Sequence, residues 1–317
     1  MKKRDLRIVF MGTPEFAVGT LKLLVENQYQ IVGVITAPDK PAGRGQKLHQ
    51  SDVKKYALSQ NLRLLQPTNL KDDEFLNELK SLNANVQIVV AFRMLPEVVW
   101  SMPEYGTFNL HASLLPDYRG AAPIHWAIIN GEEKTGVTTF FIDEKIDTGA
   151  IILQKEVTIK EDETVGTLHD ELQQIGSELV IETLQLIGAD KVTTTIQSKV
   201  EQPKTAFKLH KENCQIDWNQ SLNAIYNKIR GLNPFPAAWT NLKTKDETLM
   251  VKLFAVDKEE IAHSDAVGTI ITTKTDLKVS VQGGYLIIKE MQLPGKRKMD
   301  IRSLLNGFNF SEDDKML

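Results

Sequence analysis

The stretch "DLRIVFMGTPEFAVGTLKLLVENQYQIVGVITAP", Asp5–Pro38, decides the fold class. Its first eight residues are a compact run of strand character. A helical pattern follows, with Ala17, Leu21 and Leu24 on one face. Thr13 is expected as the N-cap of that helix and Pro14 at its first helical position. "QIVGVITAP" then reads as a second strand. Further out, "SDVKKYALSQN" (residues 51–61) reads as a capped helix and "NVQIVVAF" (residues 85–92) as another buried strand. This strand–helix–strand rhythm predicts an α/β fold with a parallel, doubly wound sheet.

The pattern changes at Thr135. "TGVTTFFID" and "DTGAIILQKEVTI" read as two strands added at the sheet edge, separated by a polar turn. "TVGTLHDELQQIGSELVIETLQLI" reads as a long amphipathic helix, with Leu168, Leu172, Ile175, Leu179 and Ile181 near helical spacing. Residues 189–208 are polar, threonine-rich and without a clear period, and read as a linker. Beyond them lie "AAWTNL", "TLMVKLFAV", "VGTIITT" and "LKVSVQGGYLIIKEMQL". Short apolar runs split by turn residues predict a small β-barrel. The expected domains are residues 1–188 and 209–317, with 189–208 between them.

Composition narrows the function classes. No apolar run approaches the ~20 residues needed to cross a bilayer, so no membrane attachment is expected. The basic start, "MKKRDLRIVFMG", lacks a cleavage-site pattern. Cys214 is the only cysteine, which excludes an intramolecular disulfide and a multi-cysteine zinc site and fits a reducing, cytoplasmic setting. The six histidines are scattered without the paired spacing of a zinc site, so no metal is expected. Net charge is −3, unevenly spread. Residues 1–205 carry 22 Lys and Arg against 27 Asp and Glu, whereas residues 206–310 carry 15 against 11. The second lobe therefore permits an anionic partner.

"FNLHASLLPDYRGAAPIHWA", Phe108–Ala127, places an unusual number of polar groups beside a strand that should be core. Asn109 and His111 are two residues apart and share one face of that strand. An amide and an imidazole so placed can donate to one developing oxyanion. Taken alone, the pair also fits a polar strand end with locally satisfied side chains. Asp147, before a glycine turn, fits a capping residue equally well. Gly12-Thr13-Pro14 lies where such sheets bind ligands, but it is not a dinucleotide fingerprint, and Pro14 removes an amide that would cradle a pyrophosphate. "APDKPAGRGQKL" (residues 37–48) reads as a solvated connector or as a mobile cationic loop over a phosphate-bearing partner.

Together, "MGTPEFAV", "APDKPAGRGQKL", "NLHASLLPDYRGAAPI", "TGVTTFFIDEKIDTG" and "KLHKENCQIDW" resemble, in order and spacing, the methionyl-tRNA formyltransferases. The match to the wider folate-dependent formyltransferase family rests on N-x-H-x-S-L-L-P followed by D-x-G. The resemblance implies a Rossmann-like catalytic domain and a C-terminal barrel like an oligonucleotide-binding (OB) fold. It implies formyl transfer from 10-formyltetrahydrofolate, the co-substrate, to the α-amine of methionine on initiator tRNA. By position, Asn109, His111 and Asp147 match the family's catalytic residues. Ser113, Leu114, Leu115 and Pro116 match its folate-binding segment. Arg44 matches the basic residue of a loop at the tRNA acceptor end.

Lys208, Lys211, Lys243, Lys245, Lys296, Arg297, Lys298 and Arg302 could track a tRNA backbone, with Lys296, Arg297 and Lys298 the best candidates for contact. No obligate protein partner is expected. Phe92-Arg93 stands where many relatives carry a tyrosine-glycine pair, and Gly19 where a proline is common. Three other readings keep part of the pattern: a formyltransferase for small amines, a formyltetrahydrofolate hydrolase, and a non-catalytic RNA-binding protein.

Overall fold

The structure is a computed structural model that describes residues 4–42, 47–198 and 202–317. The chain divides into two compact units. The first comprises Met1–Gly120, Thr135–Val157 and His169–Thr205; the second comprises Ala121–Lys134, Thr158–Leu168 and Ala206–Leu317.

The first unit is built on a mixed seven-stranded sheet. From one edge its strands are Ile151–Thr158, Lys134–Phe141, Thr107–His111, Val86–Val90, Arg7–Gly12, Gln30–Ile35 and Leu64–Leu65. The five strands from Thr107–His111 to Leu64–Leu65 pair in parallel, and Thr107–His111 pairs antiparallel with Lys134–Phe141. The chain leaves Arg7–Gly12 on one side and returns at Val86–Val90 on the other. In folds of this kind, ligands bind outside the C-terminal ends of the strands at such a reversal.

Ile8, Val9, Phe10 and Met11 are all fully buried. A parallel sheet covered on both faces needs continuous apolar runs rather than alternation. Gly12, the last residue of the strand, leaves no room for a side chain, since a β-carbon there would lie 2.6 Å from the Ala17 Cβ and 3.0 Å from the Val90 carbonyl oxygen. The following helix spans Glu15–Glu26, one residue later than expected. Pro14 occupies the N-cap, no side chain caps the helix, and Thr13 does not serve as the cap. The next helix, Asp52–Ser59, has the expected cap, with the Ser51 side chain accepting from the Lys54 amide. The helix Val165–Gly188 buries Leu168, Leu172, Leu179, Leu184 and Ile187. Ile175 and Ile181 stay half-buried, and the packed face also holds Ser177 and Thr183. Their hydroxyls meet Thr20 at 3.2 Å and Thr139 at 2.8 Å.

The second unit holds a nearly closed antiparallel sheet. Its strands run in the order Ile270–Thr272, Leu277–Val281, Gly284–Gln292, Thr248–Glu259, Ala238–Lys243 and Lys315–Met316, with Met299–Asp300 paired to Gly284–Gln292. Thr269 bridges to Lys315, bringing the two ends of the sheet together into a barrel. Alternate residues of Ala238–Lys243 point into the core. That core gathers Trp218, Ile225, Ile229, Leu253, Val279 and Ile288, as period-two patterning requires. The helix Leu222–Arg230 packs on this core, capped by Ser221. Its Arg230 is buried and donates to the carbonyls of Lys160 (3.3 Å) and Glu163 (2.9 Å).

Candidate active site

Asn109 and His111 lie on the strand Thr107–His111, between Val86–Val90 and Lys134–Phe141. Phe108 and Leu110 are buried on the other face. The alternation of a strand therefore puts both polar side chains on one face at its C-terminal end. Asn109 is half-buried, and its amide has no side-chain hydrogen bond among the described residues. His111 is 6% exposed and lies between two oxygens. Its Nε2 lies 2.9 Å from the Tyr118 carbonyl and its Nδ1 lies 3.9 Å from Asp147 Oδ2. A carbonyl only accepts, so Nε2 carries the proton in the neutral ring and Nδ1 keeps its lone pair. Nδ1 is therefore the nitrogen positioned to gain and lose a proton.

Asp147 stands in a left-handed conformation, φ 54°, in the turn between Lys134–Phe141 and Ile151–Thr158. Its Oδ2 accepts from the Gly120 amide at 2.9 Å. Gly149 makes this turn possible, since a β-carbon there would lie 1.7 Å from the Phe141 carbonyl oxygen. The glycine of D-x-G is thus a steric requirement of the turn that aims Asp147. Tyr118, which anchors His111, is also left-handed at φ 59°. Such backbone costs roughly 1–3 kcal/mol each and persists only where surrounding contacts hold it.

Ser113–Pro116 is fastened by Thr138. Its hydroxyl donates to the Ser113 carbonyl (2.6 Å) and accepts from the Leu115 amide (3.3 Å) and from Gln154 Nε2 (3.0 Å). Gln154 also donates to the Leu115 carbonyl at 2.9 Å. One donor and two acceptor sites exhaust a threonine hydroxyl. Ser113 is fully buried with its hydroxyl on the Asp117 carbonyl (2.7 Å), and Leu115 is 3% exposed. These two side chains anchor the segment. Leu114 and Pro116 are half-buried and remain on its accessible side. Arg93, of the divergent Phe92-Arg93 pair, donates to the carbonyls of Pro67 and Thr68 and so pins the end of the strand Val86–Val90.

Arg44 lies outside the described residues. Lys296 and Arg297 are exposed, whereas Lys298 is paired with Glu290 at 2.7 Å. The second unit contains a cavity of about 530 Å³ whose lining includes Lys208, Lys211, Lys252, His125, Phe235 and Trp239, and among the described residues no acidic one lines it. Lys211 Nζ stands 5.2 Å from the Trp239 ring centroid, and Phe235 is 77% exposed. Sequence spacing did not collect Lys252 or the two aromatics into this group, because the barrel alone brings residues 208–252 together. Cys214 also lines the cavity, but it is buried, and burial pushes its thiol up from its ordinary value, leaving it a poor nucleophile.

Sequence reasoning missed Thr138, Gln154 and Gln197. Gln197 sits in the segment read as linker, yet it is 8% exposed and bonded to the Asp147 turn. A buried glutamine in a polar run leaves no trace in hydrophobic periodicity. Among the described residues, Glu15, His169 and Asp170 bring three ligand-type atoms within 4.8 Å of one another. They form a partly exposed ion-pair cluster rather than part of the Asn109–His111–Asp147 group.

Residues 6–184 match the formyl transferase family and residues 208–309 match the formyl transferase C-terminal domain. The methionyl-tRNA formyltransferase of Flavobacterium johnsoniae is 60% identical over 98% of this chain and 99% of its own. In fold, the chain is similar to WlaRD, a sugar 3N-formyl transferase, with a TM-score of 0.65 at 20% identity over 93% of this chain and all of that one. It is similar also to HypX from Aquifex aeolicus, crystallised with tetrahydrofolic acid, with a TM-score of 0.65 at 18% identity over 96% of this chain. The chain spans about half the length of HypX, 47%. With both family regions matched and three residues in five shared end to end with that curated relative, the chain belongs to the methionyl-tRNA formyltransferases of the formyl transferase family.

Proposed function

We propose that the chain moves a formyl group from 10-formyltetrahydrofolate to the α-amine of methionine esterified to initiator tRNA, in the cytoplasm, using Asn109, His111 and Asp147. The observation that carries this reading is the held imidazole: His111 stands between the Tyr118 carbonyl and the Asp147 carboxylate, one strand repeat from the free amide of Asn109. The neutral amine attacks the formyl carbon, and the carbonyl oxygen becomes an oxyanion. The Asn109 amide donates to that oxyanion. His111 Nδ1 takes the proton released by the amine and returns one to the departing folate nitrogen. Asp147 balances the imidazolium charge in between. With the bond to methionine already formed, the tetrahedral intermediate collapses, the oxyanion becomes a carbonyl again and the carbon–nitrogen bond to folate breaks. Holding both substrates in register supplies acceleration comparable to that of any one group.

In the same reading, the backbone of Ser113–Pro116 with Leu114 and Pro116 forms the folate wall, and Ser113 and Leu115 anchor it. Arg44 acts at the acceptor end. Lys296, Arg297 and Lys298, with the cavity lysines, attract the tRNA backbone. The first unit, which includes Gln197, carries the chemistry, and the second unit, which includes Lys208, binds tRNA. The test is to incubate the protein with 10-formyltetrahydrofolate and offer charged initiator tRNA, a small amine such as an amino sugar, or buffer alone. Formylmethionyl-tRNA is the expected product. Formyl transfer to the small amine, or release of formate at the same rate in all three, would overturn the reading.

A further inference from the structure

We propose that Gln197 is a positioning residue for Asp147, which makes the segment after the long helix a working part of the active site. Of residues 193–198, Gln197 alone is buried; its neighbour Ile196 is 87% exposed. A lone buried polar side chain in an exposed, extended segment is there for its bonds. Thr195 seats the segment by exchanging two backbone hydrogen bonds with Ile151, both 2.8 Å. Gln197 Nε2 then donates to the carbonyls of Asp147 (2.9 Å) and Gly149 (2.8 Å). Its Oε1 accepts from Arg119 Nη2 at 2.5 Å. The opposite amide orientation would set oxygen against two carbonyls and nitrogen against a cation, so the amide is locked in one direction.

The contacts close into a ring. Gly120, next to Arg119, donates its amide to the Asp147 carboxylate, while Gln197 holds the backbone of the same turn. The left-handed Asp147 and its carboxylate are thus gripped from two sides. The interaction acts on geometry alone, because Gln197 touches Asp147 through the backbone carbonyl and not through the reacting group. Arg119 Nε is buried with no hydrogen-bond partner among the described residues, so Arg119 is held chiefly through Gln197.

The inference rests on Asp147 taking part in formyl transfer, and the experiment separates the two. Wild type, Gln197→Met, Asp147→Asn and the double variant are assayed as full-length enzymes with 10-formyltetrahydrofolate and charged initiator tRNA. Methionine fills the glutamine volume but offers no N–H. Gln197→Met is expected to lower kcat about 10- to 100-fold, as small misplacements of catalytic groups do. Both KM values should hold, which a general loosening of the fold would raise. In the Asp147→Asn background the same change is expected to cost less than about twofold, the non-additivity of residues that act as one unit. Gln197→Glu keeps an acceptor for Arg119 but gives the two carbonyls no donor. It should lose kcat like the methionine variant, and it carries the same comparison should that variant fail to fold. An unchanged kcat in Gln197→Met, or losses that multiply in the double variant, overturns the proposal. An Asp147→Asn enzyme with wild-type kcat sinks the reading of Asp147 itself. A crippled Asp147→Asn beside an unimpaired Gln197→Met sinks only the role of Gln197.

Discussion

Around Asp147, four hydrogen bonds of 2.5–2.9 Å tie Arg119, Gly120, Gln197 and the 147–149 turn into one closed set. Around the cavity in the second unit, Lys208, Lys211 and Lys252 share a wall with exposed aromatic surface. Lys211 meets the Trp239 ring at 5.2 Å, and Lys252 reaches the Pro236 carbonyl at 3.2 Å. The first region spends its polar groups on position; the second leaves its charges open to an anion. The difference fits the task proposed for each. Proton transfer needs groups within fractions of an ångström, and such accuracy comes from buried hydrogen-bonded networks. Attraction of a polyanion acts over about a Debye length and tolerates loose side chains.

That contrast can be broken at its stronger end first. Asn109→Ala, His111→Ala and Asp147→Asn are each expected to lower kcat by roughly 10²-fold or more. tRNA affinity, measured by filter binding, should stay near wild type. A His111→Ala enzyme with near-normal turnover would remove the contrast, because the networked corner would then be no more demanding than a surface patch.

The fastening of the proposed folate wall comes next. Thr138→Val deletes the hydroxyl shared by Ser113, Leu115 and Gln154, and it should cost about 1–3 kcal/mol of stability. The KM for the formyl donor should rise more than that for tRNA. Equal rises would mean that the segment is packing alone.

A comparison of two charge sets sharpens the other side. Replacing Lys208, Lys211 and Lys252 with glutamine should weaken tRNA binding and flatten its salt dependence by up to about 2–3 in the log–log slope, near one counterion per lost contact. The same treatment of Lys296, Arg297 and Lys298 should flatten it less, since Lys298 already has Glu290 as counter-ion. The reverse order would move the main tRNA contact to the 296–298 loop. The smallest effect is expected for the Lys298–Glu290 pair. Both side chains are partly exposed, at 45% and 34%, so Lys298→Gln should change unfolding free energy by less than about 1 kcal/mol. A larger loss in chemical denaturation would mean that the stem of Lys298 over the Phe254 ring, with its Nζ 5.3 Å from the centroid, contributes more than its charge.

By itself, the sequence determined the α/β class of the first half, the barrel of the second, and the candidates Asn109, His111 and Asp147. Apolar runs, helix spacing and turn residues are local signals, and the N-x-H pair declares a shared strand face by its spacing alone. Tertiary structure decided what joins them. The Tyr118 carbonyl fixes which nitrogen of His111 is free, and Thr138 and Gln154 turn Ser113 and Leu115 inward. Gln197 reaches across fifty positions of sequence to the Asp147 carbonyl. Lys252 joins Lys208 and Lys211 only once the barrel has formed. These links are single hydrogen bonds and side-chain neighbours between distant segments. They leave no periodicity to read, because a buried amide is selected by the two carbonyls it meets and not by the residues beside it in the chain.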